Sequence, residues 1–542
     1  MQGLMQDWPL LCHKVIDHAA RAHGDREVVS RSVEGPITRI TYRALRQRAL
    51  KAAQRLQRDG IAAGDRVGTL AWNTSRHLEV WYGAMGMGAV YHTLNPRLHP
   101  DQIAWIINHA EDRVVFVDLT FVPILEGIRD RLSTVGRFVI LTDSAHMPQT
   151  TLADAVDYES WLAEADGDFE WVAVDEDAAA GMCYTSGTTG NPKGVVYSHR
   201  SNILHAMMAA MPDAMNLSSR DRVLAVVPMF HANAWGLAQS VPMVGGTLVL
   251  PGAKLDGASV LELLETEKVT FTAGVPTVWF TLLQQLEATG RGLPHLERMV
   301  IGGSACPRSM IETFQRDYDV RVLHAWGMTE TSPLATLCSL KPEVSHLTGA
   351  ALLDVLEKQG QAPFGLELKI TDDDNVERPW DGRTFGRLKV RGATVARGYH
   401  GGSGAEAFDA EGWFDTGDIA HVDPNGYLQI TDRAKDLIKS GGEWISSIEL
   451  ENVAVGHPDV AEAAVIGIAH PKWDERPLLV VVPKQGASPS KEAILRHLEG
   501  KVAKWWMPDD VAFVEAIPHT ATGKIQKMAL RDQFADYKLP TA

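Results

Sequence analysis

The sequence predicts an α/β protein: a large N-terminal domain of βαβ layers, its sheets covered by helices, followed by a small α+β C-terminal domain. Three observations lead there. Short β-branched runs alternate with segments of helical period along most of the chain, the pattern of βαβ units around a largely parallel sheet. A length of 542 residues exceeds what one hydrophobic core organises, so two or more domains are required. Near the C-terminus, Asp432-Arg433-Ala434-Lys435-Asp436 clusters charge between two apolar runs, and the boundary is set there, between domains 1–432 and 433–542.

The elements follow in order. Leu45, Ala49, Ala52 and Leu56 recur at helical spacing between Thr41 and Gly60, and Arg66 to Leu70 then alternates as a strand. Helices are expected over 78–87 and 102–109, with strands at 114–117 and 138–141. Residues 142–178, rich in Asp, Glu and Ala, suggest a surface excursion. A helix at 201–211, a strand at 223–227 and a strand at 298–301 continue the alternation, and Asp423-Pro424-Asn425-Gly426 has hairpin-turn chemistry. Past the boundary come a helix at 449–455, strands at 460–468 and 478–482, and a helix at 491–502.

Composition narrows the function. With 52 basic against 68 acidic residues the net charge is −16, which argues against nucleic acid, whose binding is driven by phosphate neutralisation. Cys12, Cys183, Cys306 and Cys338 lie far apart with no C-x-x-C pair, so neither a zinc site nor a disulfide framework is expected. Cys306 suits a small packed residue better than a nucleophile, because no basic partner is near it in sequence. The N-terminus lacks a signal-peptide pattern, and no run reaches the roughly 18 apolar residues of a membrane span. A cytoplasmic enzyme of small molecules is the expectation, with a homodimer left open.

The densest motif is Tyr184-Thr185-Ser186-Gly187-Thr188-Thr189-Gly190-Asn191-Pro192-Lys193-Gly194. Its glycines allow successive N–H groups to converge on an anion, its hydroxyls add donors, and Lys193 adds charge. It is not the G-x-x-x-x-G-K-[ST] pattern, because Lys193 precedes Gly194 and an apolar run. Downstream, Pro228 to Gly236 ends an apolar run in a cluster with His231 and Trp235, where His231 fits a packed core histidine as well as a site residue. Gly302-Gly303-Ser304-Ala305-Cys306 follows a strand, as a tight turn or a crevice edge. His324-Ala325-Trp326-Gly327-Met328-Thr329-Glu330, Thr416-Gly417-Asp418, Ser440-Gly441-Gly442-Glu443-Trp444 and Thr522-Gly523-Lys524-Ile525 complete the series.

Taken in this order, the motifs resemble those of the adenylate-forming superfamily, which contains the acyl-CoA synthetases, luciferases and peptide-synthetase adenylation domains. The resemblance implies that ATP is held by Thr185, Ser186, Gly187, Thr188, Thr189, Gly190 and Lys193, and that Gly303, Ser304, Ala305, His324, Ala325, Trp326, Gly327, Met328 and Thr329 border adenine and the α-phosphate. Asp418 and Arg433 would take the ribose, and Glu330 would hold Mg²⁺. His231, Trp235, Gly302, Trp326, Gly327 and Pro333 would line the pocket for a small carboxylic acid. Lys524 would be the catalytic lysine, with His231 and Glu330 beside it. Lys435 would be the hinge of a mobile C-terminal domain, at a position where aspartate is commoner. Gly441, Gly442, Glu443 and Trp444 would approach the pantetheine arm of coenzyme A, and Arg476 its nucleotide.

The implied reaction is ATP-dependent acyl-CoA synthesis through an acyl-adenylate. Two features, 228–235 and 439–446, are most similar to the branch that activates 3-(methylthio)propionate, and bulky rings at Trp235 and Trp326 suit a short or medium chain. A medium-chain fatty acyl-CoA synthetase, an adenylation enzyme loading a carrier protein and a luciferase-like oxidase share the same motifs.

Overall fold

The computed structural model describes residues 1, 3–185, 191–434, 436–440, 443–519 and 525–541, with Glu443 and Trp444 described by backbone alone. Among these residues two large sheets dominate. One has eight strands, in the order Leu334–Leu337, Arg321–Gly327, Arg298–Ile301, Phe271–Gly274, Arg222–Ala225, Thr247–Leu250, Glu27–Arg31 and Ile37–Thr41. All neighbours in it are parallel except the pair at each end. The second has seven, in the order Val156–Asp157, Arg137–Ile140, Asp112–Val117, Arg66–Leu70, Val90–Thr93, Ala179–Thr185 and Lys193–Ser198, antiparallel at the last pair alone.

Helices cover these sheets, as the continuous apolar character of the inner strands demands. Helix Tyr42–Arg58 buries Leu45, Ala49, Ala52 and Leu56 on one stripe, and the Thr41 hydroxyl caps its start by accepting the Ala44 N–H at 3.2 Å. Helix Ser75–Gly86 is capped in the same way by Thr74. One apolar core joins Val67 and Phe116 of the seven-stranded sheet to Val223, Leu248 and Phe271 of the eight-stranded one.

A four-stranded antiparallel sheet, Leu366–Thr371, Gly386–Gly392, Phe414–Val422 and Leu428–Arg433, follows. The Asp423–Gly426 turn joins its last two strands; the Asp423 carboxylate accepts the N–H groups of Asn425 and Tyr427, and Gly426 has φ +85°. The C-terminal module is a mixed five-stranded sheet built on the long hairpin Val460–His470 and Asp474–Pro483, packed against helices Ser447–Val455, Lys491–Leu498 and Lys527–Gln533. The α/β class with a smaller α+β module is therefore as expected. All four cysteines are buried and unpaired. Among the described residues no helix is long and apolar enough to cross a membrane.

The segment 142–178 departs from expectation, because part of it is core. Val156–Asp157 adds an edge strand, and helix Tyr158–Ala163 buries Tyr158 and Trp161 completely. Its acidic character, which suggested a solvated surface, instead meets arginines. Glu159 pairs with Arg48 at 2.9 Å and Arg76 at 2.8 Å, the Tyr158 hydroxyl donates to Glu79, and Trp161 Nε1 donates to Asp59 at 2.7 Å. Trp161→Ala is expected to lower the unfolding free energy by about 3–5 kcal/mol, read from a urea titration.

Candidate active site

Parallel strands deliver their carboxyl ends to one rim, and loops from both large sheets converge there. Strand Arg298–Ile301 ends at Gly302 and Gly303, strand Arg321–Gly327 carries Ala325, Trp326 and Gly327 to Glu330, and strand Ala179–Thr185 presents Tyr184 and Thr185. These residues line a cleft of about 880 Å³, joined by Phe230, His231 and Trp235, by Arg433, and by His519 and Gln526 of the C-terminal module. Thr185 and Lys193 face one another across an antiparallel ladder, and the strand after the glycine-rich motif begins at Lys193.

Close backbone approach shapes the walls. A Cβ at Gly327 would lie 1.9 Å from the Pro333 carbonyl oxygen, and one at Gly302 would lie 2.8 Å from that of Ala325. The Trp235 wall is built differently: Ala232, Asn233, Ala234 and Trp235 take φ values of +44°, +58°, +53° and +54° before Gly236 at +80°. Such a left-handed run costs roughly 1–2 kcal/mol per residue without glycine, so the surroundings must hold it. His205 packs beneath, its ring 2.6 Å from where a Gly236 Cβ would be, and its Nε2 accepts the Leu334 N–H at 3.1 Å. Asn73 secures the approach to the same loop, donating to the Ala225 and Val227 carbonyls and accepting the Met229 N–H at 2.6 Å.

On the opposite side Asp418, 3% exposed, accepts the Trp326 Nε1–H at 3.0 Å and pairs with Arg433 at 2.9 Å. A carboxylate has further lone pairs, so this geometry still suits a vicinal diol. Glu330 is 5% exposed and lines the cleft; Tyr399 donates to its Oε1 at 2.6 Å, and the Tyr197 hydroxyl donates to the Thr329 carbonyl at 2.8 Å.

The structure brings together Thr185, Lys193, His231, Trp235, Gly302, Gly303, Ala325, Trp326, Gly327, Met328, Thr329, Glu330, Pro333 and Arg433 on the cleft wall. Ser304, Ala305 and Asp418 stand beside that wall. His324 sits behind it, and its ring is held by protein groups. Its Nε2 accepts the Cys306 N–H at 3.3 Å and its Nδ1 donates to the Glu357 carbonyl at 2.7 Å, pinning the turn after Gly303. Arg476 is likewise turned inward. Its guanidinium pairs with Asp509 at 2.7 Å, donates to Ser440 Oγ and to the Trp505 and Met507 carbonyls, and leaves little for a phosphate. Ser186, Gly187, Thr188, Thr189, Gly190, Lys435, Gly441, Gly442, Lys524 and the side chains of Glu443 and Trp444 lie outside the described residues.

Four contributors carry no motif: Asn73, Arg97, His205 and Tyr399. Arg97 lines the cleft near Phe230, and among the described residues no carboxylate pairs with it. An exposed guanidinium at the rim of a cleft was legible as chemistry only once its neighbours were known.

A family model for AMP-binding enzymes matches residues 16–400, and one for the AMP-binding enzyme C-terminal domain matches residues 449–524. The chain belongs to the AMP-binding enzyme family. This AMP-binding enzyme is 49% identical over 536 residues to the 3-methylmercaptopropionyl-CoA ligase of Ruegeria lacuscaerulensis, covering 99% of each chain. It is 47% identical over 540 residues to the medium-chain-fatty-acid–CoA ligase of Ectopseudomonas oleovorans, covering 99% of this chain and 98% of that one. The crystal structure of the anthranilate CoA ligase AuaEII in complex with anthranoyl-AMP superposes with a TM-score of 0.88 at 25% identity, covering 98% of this chain and 100% of the other. The adenylate-forming resemblance of the motifs is thus borne out.

Burial pushes His77, His205 and His324 of this enzyme down to about 4 from 6.5. Each ring is neutral in the fold, so between those values the unfolded chain binds more protons. Their contribution to stability is full above pH 6.5 and falls as the pH drops towards 4. Thermal unfolding followed from about pH 7.5 to about pH 4.5 is expected to show Tm declining once the pH passes below 6.5.

Proposed function

We propose that this enzyme is an ATP-dependent acid–CoA ligase that forms an acyl-AMP with release of pyrophosphate and then an acyl-CoA thioester with release of AMP. The observation that carries the reading is the meeting in one cleft of the Trp326–Asp418–Arg433 cluster, the Glu330 carboxylate and the His231–Trp235 loop. A nucleoside, a polyphosphate and an apolar acid each find suitable chemistry within one 880 Å³ space.

In the first step a carboxylate oxygen attacks the α-phosphorus and pyrophosphate leaves. Both reactants are anions, so fixed cations and N–H groups must offset their repulsion and the charge that grows on the phosphoryl oxygens. Lys193 and Arg433 at the cleft, with the loop 185–190 and Lys524, are the groups of this chain suited to that task. His231 and the Gly302 and Gly327 backbone would orient the acid carboxylate, with Trp235, Trp326 and Pro333 against its tail. Glu330, a single buried carboxylate with one oxygen towards the cleft, fits a hard cation completed by nucleotide oxygens and water. Bound Mg²⁺ would supply Lewis-acid neutralisation of the phosphates.

In the second step the thiolate of CoA attacks the acyl carbon and AMP leaves. We assign the exchange between steps to rotation of residues 433–542 about Lys435, withdrawing Lys524 and advancing the 441–444 turn. Arg97, which lines the cleft, joins Arg476 as a guanidinium suited to an anionic part of CoA.

The acid is 3-(methylthio)propionate or a similar short or medium chain. Support comes from the two named relatives and from the aromatic pocket, where a thioether sulfur gains about 0.3–1.5 kcal/mol beside a ring edge. The purified enzyme, given ATP, CoA and a panel of acids from propionate to octanoate with methylthiopropionate, is expected to release AMP with the short thioether acid. Preference for octanoate would select the medium-chain alternative, a carrier protein outperforming CoA would select the adenylation alternative, and formation of ADP would sink the mechanism. Lys524→Ala is expected to cut ATP–pyrophosphate exchange by about 100-fold or more, the loss of a fixed charge at the reacting phosphate, while thioester formation from supplied acyl-AMP continues.

A further inference from the structure

Tyr399 belongs to no motif singled out in the sequence, yet it touches two groups assigned to the phosphates. Its hydroxyl lies 2.6 Å from Glu330 Oε1, and Lys193 Nζ stands 5.0 Å from the centroid of its ring. The ring is itself held fast. It packs against the cluster of Cys183, Val195 and Tyr197, and Phe408 meets it edge to face at 5.6 Å.

The backbone around it is equally fixed. The Ala396 N–H donates to the Glu330 carbonyl at 2.7 Å, Ser332 Oγ donates to the Thr394 carbonyl at 2.7 Å, and the neighbouring His400 packs where a Gly194 Cβ would be, 3.1 Å away. The segment 394–400 therefore lies sewn between the Glu330 turn and the strand that carries Lys193. A phenol keeps its proton at neutral pH, so the Tyr399 hydroxyl is the donor in its bond to Glu330.

A hydrogen bond to one oxygen narrows the rotamers open to a carboxylate, and its other oxygen can still coordinate. Groups that orient a ligating carboxylate commonly change metal affinity 10–100-fold when removed. The Lys193 ammonium has little else to fix it, since Glu406 lies 3.8 Å away and is mostly exposed, a weak pair in water. A ring face beneath an ammonium restrains it through its quadrupole.

We propose that Tyr399 is the positioning residue that couples the divalent-cation carboxylate Glu330 to the phosphate-loop cation Lys193, so that cation affinity and nucleotide affinity are set by one side chain. The hydroxyl serves the carboxylate and the ring serves the lysine. The two functions are separable by substitution, because Tyr399→Phe removes the first and keeps the second, whereas Tyr399→Leu removes both. The inference rests on the reading of Glu330 as the metal ligand.

The test is Mn²⁺ binding followed by electron paramagnetic resonance in the presence of a non-reacting ATP analogue with a methylene between the α- and β-phosphates. Tyr399→Phe is expected to weaken Mn²⁺ binding about tenfold with Tm and metal-free binding of the analogue unchanged. Tyr399→Leu is expected to weaken metal-free analogue binding as well. Glu330→Gln serves as the reference. If Glu330→Gln weakens Mn²⁺ binding and Tyr399→Phe does not, the coupling is overturned while the metal reading stands. If neither substitution moves it, the metal reading of Glu330 falls and the coupling falls with it.

Discussion

The two large sheets meet at the rim of the cleft through the side chain of Asn73, and the geometry of the site depends on it. It follows a strand of the seven-stranded sheet, and its amide donates to Ala225 and Val227 at the end of a strand of the eight-stranded one, while its carbonyl accepts from Met229. It is 2% exposed, and the partners are backbone groups that would otherwise stand buried and unpaired. With the sheets joined there, the loop from Phe230 to Gly236 starts from a fixed point, and its left-handed run can be sustained by His205 beneath it.

That scaffolding explains how weakly stabilised chemistry becomes ordered. Groups suited to anions come from separate parts of the chain: Lys193 from a hairpin, Arg97 from the segment before helix Pro100–Ala110, Arg433 from the last strand of the antiparallel sheet. Each would be a mobile surface cation alone. In the cleft Lys193 is restrained by Tyr399 and Arg433 by Asp418, so little reorganisation of those two is left when a nucleotide arrives. Glu330 is restrained likewise by Tyr399, and among the described residues it forms no salt bridge that would neutralise it.

Motif reading pointed to the cleft wall where a residue acts through its own backbone or at its own strand end. Gly302, Gly303, Trp326, Gly327 and Glu330 could be named because a strand followed by glycines has few structural outcomes. It says less about side chains whose direction depends on packing. His324 and Arg476 have the right chemistry for a nucleotide and a phosphate, but burial gave each a full set of protein partners. The acidic stretch at 142–178 misled in the opposite sense, since its Glu159 carboxylate faces Arg48 and Arg76 from other elements.

Local order, then, was the chain's own: alternating periodicity specifies βαβ layers, and the ordered motifs identify an adenylate-forming enzyme. These properties are written in neighbours along the backbone, where spacing alone constrains conformation. Which groups touch was decided by the tertiary structure. Asn73, Arg97, His205 and Tyr399 acquire meaning from residues between about a hundred and two hundred positions away in Tyr399–Lys193, His205–Leu334 and Asn73–Met229, and no local pattern can encode a contact whose partner is chosen by how two sheets pack.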